Sequence, residues 1–355
     1  MGFLFMSTAI AMAFGAGAAR RPPFLRRDVA ALSTSLQAAG DVGCLAVVTG
    51  AEGSTYSKPG GLMLFAVDGR QAGLLSGGCL ETDLAERAAR VMRTGVAEVV
   101  HYDARDVEQD VLFGLALGCE GVLRIHLLPV GLAQGFEPLC SLQRAASRGE
   151  SCRWGLVTRG QRSGTVLLAP APGLAAAGWS LPGGHAALVA DPLADEEQLW
   201  LRMAPPPHLL LCGAGAEAPA LATGALALGW EVTVLDHRSA WADPARFPAG
   251  VAVRCHDPRG VSSSVLVAEV AVVMAHHLEV DAAWLAALAA TGTPWIGLLG
   301  PPARRARLLD RLGRQASTLA GRLQGPVGLP IGARTPEEIA LSILAAAQQA
   351  VAALA

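Results

Sequence analysis

The sequence predicts an α/β protein in which an N-terminal α/β domain precedes a second domain built on a parallel sheet. Apolar runs rich in β-branched residues alternate with segments of helical periodicity along the 355-residue chain. The Pro-rich segment 204–207 separates two such series, and the second series opens with a strand, a glycine turn and a helix. A chain of this length, with 52% hydrophobic and 16% charged residues, can bury the cores of two domains.

Charge and cysteine content narrow the class of protein. The formal net charge of −2 provides no overall positive field for nucleic acid, and the basic run 303–315 is typical of a solvated helix face. The seven cysteines are odd in number, and no two of them form a C-x-x-C pair. We therefore expect neither a disulfide framework nor a zinc knuckle, and we expect the protein to be cytoplasmic.

The first 25 residues form a leader that matches the usual targeting segments poorly. Residues 2–19 are uncharged and lack the positive n-region of a secretory signal. Their glycines and Ser-Thr pair weaken them as a membrane span, and Met6 and Met12 allow a misassigned start codon. We expect residues 1–25 to be disordered or a misassigned start, with an export signal or an anchor as the alternative.

The predicted N-terminal domain covers residues 26–134. Its pattern predicts an amphipathic helix, a buried strand, a turn-rich loop, a β-hairpin, a second helix and two later strands. The Asp68-Gly69 dipeptide of the hairpin tolerates the positive φ angles of a tight turn. The elements cover, in this order, 26–41, 42–50, 53–61, 62–75, about 80–93, 97–102 and 122–130.

The rest of the chain divides into a middle segment and a second domain. Residues 135–207 form the middle segment and linker, with short strands among glycines and prolines. The pattern over the second domain, 208–355, predicts alternating strands and helices and ends in a helix with strong start signals. Thr335 is the expected N-cap, Pro336 suits the first helical position, and Glu338 completes a capping box.

A glycine turn identifies the class of the second domain. GAGAEA places Gly213 and Gly215 directly after an apolar strand, and Asp236 ends the next strand about 21 residues later, near the roughly 20 of a dinucleotide cradle. The glycines permit close approach of a phosphate to the helix N-terminus, and the carboxylate suits a ribose diol. Ala218 stands where a third glycine is expected. We predict a Rossmann-like parallel-sheet domain over 208–355, while NAD(P) binding stays open.

A cysteine follows two glycines in SGGCLE, where the second helix begins. A thiol in the first turn of a helix is activated by free N–H groups and by the helix dipole. Glu81 and Asp83 oppose that effect, whereas Gly77 and Gly78 let a bulky or anionic ligand approach the backbone. Cys79 is therefore either a working thiol or an inert cysteine after a flexible turn.

Two further positions are weaker candidates. Cys119 also stands beside glycines, but taken alone it favours a packing role. His276 and His277, with Asp281 beyond them, end the strand VAVVMAHH, and open α/β sheets bind their ligands at the carboxyl ends of strands. A polar strand end without a ligand is the alternative interpretation of this pair.

Several of these motifs occur in an order that resembles the XdhC/CoxI family. GSTYSKPGG, the hairpin, SGGCLE and GLALGCEGVLRIHL are similar to the first domain of that family. GAGAEAPAL, VVMAHH, IGLLG and PVGLPIGARTPEEIALSI are similar to its Rossmann domain. The resemblance covers about residues 30–350. It marks 26–134 as an XdhC/CoxI-type N-terminal domain.

The resemblance implies a xanthine dehydrogenase accessory protein that acts as a molybdenum cofactor chaperone rather than an enzyme. Such a protein binds and protects the molybdopterin form of the cofactor. It presents the cofactor to a cysteine desulfurase for sulfuration and delivers it to a xanthine-dehydrogenase-type molybdenum hydroxylase. The resemblance also suggests a homodimer, and the net charge of −2 argues against a nucleic-acid partner.

The same resemblance suggests which residues hold the cofactor, and we assign none as catalytic. Cys79 is the cysteine linked to cofactor binding in the family, and its soft thiolate is a possible molybdenum contact. The other cofactor-binding candidates are Ser54, Ser76, Gly77 and Gly78 in the first domain and Gly213, Gly215, Asp236 and His276 in the second.

This chain departs from the family pattern at three places. Ala216 and Glu217 stand where the glycine turn commonly continues with a histidine. PPARRA replaces the usual Ser-Arg stretch after IGLLG, so any anion contact there is either lost or moved to Arg304 or Arg305. CEG puts a role for Cys119 in doubt. Two other hypotheses stay open: an NAD(P)-dependent oxidoreductase, and a thiol enzyme with His276 as the base for Cys79.

Overall fold

A computed structural model describes residues 11–13, 22–103, 121–168, 186–191 and 195–354. The chain divides into two compact units, Met1–Pro205 and Pro206–Ala355. No helix within the described ranges is long and apolar enough to cross a membrane. The two units confirm the predicted fold class, an α/β unit followed by a Rossmann-like unit with a parallel sheet.

The described part of the N-terminal unit contains ten strands and three α-helices. The strands are β1 (Ala11–Ala13), β2 (Gly43–Gly53), β3 (Leu62–Ala66), β4 (Gln71–Gly73), β5 (Glu98–Asp103), β6 (Gly121–Val130), β7 (Cys152–Arg159), β8 (Val166–Leu167), β9 (Ala186–Asp191) and β10 (Glu196–Met203). The helices are α1 (Arg27–Ala39), α2 (Glu81–Thr94) and α3 (Leu139–Ser147).

The first sheet has the antiparallel order β4-β3-β2-β6-β5. Strand β2 is buried on both faces, because Ala46 packs with the apolar side of α2 whereas Leu45 and Val47 pack into the core that contains α1. The predicted hairpin is present as β3 and β4, and Gly69 has a φ of +87° in its turn.

A second antiparallel sheet, ordered β1-β9-β10-β7-β8, shares that core. Trp154 and Leu156 of β7 pack with Leu199 and Leu201 of β10 in the same apolar cluster as Leu45 of the first sheet. Much of the predicted middle segment 135–207 is therefore a sheet that packs within the N-terminal unit rather than a connection between domains.

Part of the leader also has a regular conformation. Ala11–Ala13, inside the segment predicted to be disordered or a misassigned start, forms β1 and pairs antiparallel with β9. The edge of β9 offers unpaired backbone groups, which explains how a leader without strong strand signals is held there. Closer to α1, Leu25 is buried.

The C-terminal unit is a parallel sheet with helices between its strands. The strands are β11 (His208–Cys212), β12 (Glu231–Asp236), β13 (Ala252–Cys255), β14 (Val270–Val273), β15 (Trp295–Leu298) and β16 (Leu323–Gln324). The helices are α4 (Ala218–Ala227), α5 (Leu278–Ala289), α6 (Pro302–Leu312) and α7 (Pro336–Ala353).

The strand order of this sheet is β13-β12-β11-β14-β15-β16, and every neighbouring pair is parallel. The order reverses between β11 and β14, so the glycine turn after β11 and His276 after β14 lie at the switch point of the sheet. The predicted capping box is present at α7, where Thr335 and Glu338 exchange hydrogen bonds.

Candidate functional site

A pocket in the N-terminal unit collects the candidate residues of the first domain. Its empty volume is about 380 Å³, and its surface is almost entirely apolar. The lining residues come from the loop after β2, the turn before α2 and strands β5 and β6: Ser54, Thr55, Tyr56, Ser76, Gly77, Cys79, Leu80, Tyr102, Gly121 and Leu123. Ser54, Ser76, Gly77 and Cys79 were predicted from sequence.

The two glycines before Cys79 leave open space on that side of the pocket. Gly78 has a φ of +107°, which strains any other residue, and a Cβ atom added at Gly77 or Gly78 would meet no described heavy atom within 4 Å. The half-buried Cys79 lies one residue before the N-cap Leu80, not in the first helical turn as the sequence predicts. The turn therefore presents the thiol and open backbone together.

The buried carboxylate of Glu81 sets this geometry and the start of the helix. It accepts hydrogen bonds from the Ser76 N–H at 2.9 Å, from the Leu80 N–H at 3.2 Å and from the Ser76 hydroxyl. The Ser76 hydroxyl oxygen in turn accepts from the Leu80 N–H at 3.0 Å. Among these donors, the N–H of the N-cap Leu80 is a group that a helix start leaves free, and the regular helix begins at the next residue, Glu81.

The protonation state of Glu81 follows from the same contacts. Burial alone raises the pKa of this carboxyl, but the hydrogen bonds from Ser76 and Leu75 outweigh burial and hold the pKa below its ordinary value. From the sequence, Glu81 was expected only to oppose thiol activation, and its role as the anchor of the turn was missed. The only local signal is a Ser and a Glu five residues apart across a glycine pair.

The Tyr102 wall of the pocket is held by a second network. Its hydroxyl donates to Asp83 at 2.5 Å, and Arg87 donates to the same carboxylate at 2.8 Å and to Glu98 at 2.8 Å. Burial, followed by the Asp83 hydrogen bond, raises the pKa of Tyr102. The Tyr102 hydroxyl is thus hydrogen-bonded to a residue of α2, and the aromatic ring forms part of the pocket wall. Tyr102 was not predicted from the sequence.

The glycine turn of the C-terminal unit fits closely against its own unit. Gly213 has a φ of +123°, and a Cβ atom there would lie 2.6 Å from the backbone of Met274 and Ala275. A Cβ atom at Gly215 would lie 3.0 Å from Nε2 of His276, which is 3.1 Å from a carboxylate oxygen of Glu217. His276 itself has a φ of +58°. The two side chains thus cover the surface that a pyrophosphate would approach.

Asp236, the predicted ribose ligand, is fully buried and already paired. It accepts from the Ala214 N–H at 2.8 Å and from the guanidinium of Arg238 at 2.8 and 2.9 Å. Burial alone raises the pKa of Asp236, but the hydrogen bonds from Arg238 and from Ala214 lower it below its ordinary value. These hydrogen bonds link the glycine turn to β12. They leave the Asp236 carboxylate with little capacity to accept further hydrogen bonds from a ribose diol.

The two arginines after IGLLG, where this chain departs from the family pattern, lie beside other residues of the C-terminal unit. Arg304 donates to the buried Asp281 at 2.6 Å, so it supports the strand end instead of offering a free cation. The Nε atom of Arg305 has no hydrogen-bond partner among the described residues. Cys119 lies outside the described residues, and no cluster of metal-ligating side chains occurs within the described ranges.

Comparisons with known proteins agree with the sequence and the fold. Residues 36–103 match the model of the XdhC and CoxI family, and residues 209–346 match that of the XdhC Rossmann domain. A Bacillus subtilis (strain 168) protein, named as a probable subunit of xanthine dehydrogenase, is 30% identical over 311 residues, which cover 85% of this chain and 91% of that protein.

Two further comparisons extend this result. The crystal structure of a xanthine dehydrogenase from Bacillus halodurans matches with a TM-score of 0.76 at 28% identity, over 92% of this chain and 96% of that one. The uncharacterized Escherichia coli (strain K12) protein YqeB is 33% identical over 143 residues, which cover 39% of this chain and 26% of that protein. The chain belongs to the XdhC and CoxI family of xanthine dehydrogenase accessory proteins.

Proposed function

We propose that this chain binds and protects the molybdopterin form of the molybdenum cofactor in the pocket lined by Cys79. The bound cofactor is a cargo, which the chain presents to a cysteine desulfurase for sulfuration and passes to a xanthine-dehydrogenase-type hydroxylase. We further propose that the carrier is a homodimer and acts in the cytoplasm. The observation that carries the proposal is one pocket holding a cysteine, an open glycine turn and two tyrosines.

The residues of this pocket fit the chemistry of that cargo. A thiolate is a soft ligand suited to molybdenum or to its dithiolene surroundings. The free space beside Gly77 and Gly78 admits a large group against the backbone, and the aromatic walls suit a flat pterin ring. An almost wholly apolar surface also keeps water from an oxidisable cargo. The protein's contribution is therefore to bind, orient and shield.

The nicotinamide-dependent alternative has less support. Its two recognition elements, the Gly215 turn and Asp236, are occupied by His276 with Glu217 and by Arg238. A dinucleotide would have to displace both sets of contacts before it bound. For this reason we retain the carrier as the proposed function.

The test of the proposal is the pterin content of purified Cys79→Ser protein. Serine keeps the size and removes the soft ligand, so we expect the pterin-to-protein ratio to fall about tenfold or more, equivalent to about 1.4 kcal/mol of binding free energy. Pterin is released with acid and iodine from protein made in a molybdenum-replete host, and its oxidised form is measured by fluorescence.

Cys152→Ser is the matched control, because Cys152 is also half-buried in the N-terminal unit but does not line the pocket. This variant is expected to retain wild-type pterin content. Equal pterin in the wild type and Cys79→Ser would remove Cys79 from the cofactor site. A wild type that lacks pterin even after incubation with free cofactor would contradict the carrier function itself.

A further inference from the structure

The residue types that are rarest in this sequence, lysine and tyrosine, lie in or beside the Cys79 pocket. Of the 28 lysine and arginine residues in the sequence, only Lys58 is a lysine. The sequence has two tyrosines, Tyr56 and Tyr102, and both line the pocket. Lys58 and Tyr56 belong to the loop 54–61 between β2 and β3. A loop that holds the chain's single compact ammonium beside its pocket points to a ligand with a negative charge.

The contacts of the loop fix where this ammonium lies. Nζ of Lys58 donates to the hydroxyl of Thr55 at 3.1 Å, and Thr55 lines the pocket. The same hydroxyl donates to the Ser57 carbonyl at 2.8 Å, and the Gly61 N–H donates to the Lys58 carbonyl at 3.0 Å. Lys58 forms no ion pair with any other described residue. Its charge is therefore available at the rim of the pocket.

The interior and the rim differ in what they can bind. A phosphate inside the apolar pocket would lose its hydration without compensation, which is strongly unfavourable. The faces of a flat heterocycle gain contact with the tyrosine rings there, while its polar edge needs hydrogen-bond partners such as the Ser54 and Thr55 hydroxyls that line the pocket. Tyr56 is suited to this contact because it is 63% exposed on the free protein and can be covered by a ligand.

We propose that Lys58 binds the phosphate of the pterin at the rim of the pocket while the ring of Tyr56 packs on the pterin inside it. The inference rests on the proposed function and states how the cargo is recognised. The cargo is a planar heterocycle, and its anionic tail leaves the pocket over the loop 54–61. In this arrangement Cys79 faces the sulfur-rich part of the cargo, and Lys58 selects phosphorylated over dephosphorylated pterin.

The test uses a matched pair of ligands, the fluorescent oxidised pterin derived from molybdopterin with and without its phosphate. We expect the wild type to bind the phosphorylated form about tenfold more tightly, as one charge-assisted contact provides. Lys58→Gln is expected to lose this preference and Lys58→Arg to keep most of it. Arg148→Gln removes an exposed positive charge of the same unit that does not line the pocket, and is expected to behave as wild type.

Tyr56 is tested with the same two ligands. Tyr56→Phe keeps the ring and is expected to bind both forms as the wild type does. Tyr56→Ser removes the ring and is expected to weaken the binding of both forms equally, by about tenfold, because the stacking contact with the aromatic side chain is lost.

The outcomes separate the two proposals. A wild type that binds both forms equally, or a Lys58→Gln variant that still prefers the phosphorylated form, would overturn the assignment of Lys58 and leave the carrier function intact. If the oxidised ligands do not bind but pterin copurifies, the pterin content of the purified Lys58→Gln protein is the deciding measurement. A pterin content below that of the Lys58→Arg protein supports the assignment of Lys58, and an unchanged pterin content overturns it. Absence of pterin from the wild type in every assay would overturn the carrier function and this inference together.

Discussion

Glu81→Gln is expected to lower both the stability of the protein and the amount of pterin that copurifies with it, although Glu81 does not line the pocket. The carboxylate accepts hydrogen bonds from three N–H groups and one hydroxyl of the segment that carries Cys79. An amide presents its NH₂ group to at least one of these donors and leaves buried groups unsatisfied. We expect the free energy of unfolding to fall by about 2–4 kcal/mol, measured by urea denaturation, and copurified pterin to fall with it.

Glu86→Gln is the matched control for this prediction. Glu86 is an exposed residue of the same helix, so its replacement is expected to change the free energy of unfolding by less than about 0.5 kcal/mol and to leave pterin content unchanged. If Glu81→Gln and Glu86→Gln had the same free energy of unfolding and the same pterin content, the assignment of Glu81 as the anchor of the turn would be wrong.

The buried histidine of the N-terminal unit is expected to make the protein acid-labile. His126 is fully buried, its Nδ1 atom contacts the Thr49 hydroxyl at 2.8 Å, and its Nε2 atom has no partner among the described residues. Burial, and secondarily the Arg124 guanidinium, lowers the pKa of His126 from 6.5 to about 4. The imidazole is therefore neutral in the folded protein at neutral pH.

The sign of the pH effect follows from this lowered pKa. Below pH 6.5 the unfolded chain binds a proton that the folded protein does not, so stability is complete above pH 6.5 and falls as the pH falls toward 4. The loss attributable to His126 at pH 4 is about 3 kcal/mol. Urea denaturation of the wild type at intervals between pH 7.5 and 4 measures it.

His126→Gln removes this titration and is expected to flatten the pH dependence between 6.5 and 4, whatever its effect at pH 7.5. His277→Gln replaces an exposed histidine of the C-terminal unit and is expected to keep the wild-type slope. An unchanged slope in His126→Gln would show that other groups cause the acid lability.

Elements with local signals were predictable from the sequence. The Asp68-Gly69 turn, the capping box of α7 and the glycine turn after β11 each depend on neighbouring residues, and the structure has all three. The sheet formed by β7 to β10 was predicted only as scattered short strands. Its core residues, such as Trp154 and Leu199, find their partners far along the chain, and local patterns do not report such pairing.

In the candidate site, too, the features with local sequence signals were predictable and those that depend on distant contacts were not. The order of the motifs led to Ser54, Ser76, Gly77 and Cys79, which share one pocket. Their proximity depends on the packing of α2 and the turn before it against β2, whereas the anchoring by Glu81 depends on a side chain that turns back on its own loop. Asp236 has the spacing of a ribose ligand, but Arg238, two residues later, occupies it. Spacing indicates where a carboxylate lies and not what it binds.

The most direct test of the central claim is the rate at which iodoacetamide alkylates Cys79 in loaded and in stripped protein, followed by mass spectrometry. A cargo seated on Cys79 is expected to slow its alkylation about tenfold or more, while the exposed Cys255 of the C-terminal unit reacts at the same rate in both samples. Equal alkylation of Cys79 in both samples, with pterin still bound afterwards, would contradict the claim and place the cargo elsewhere.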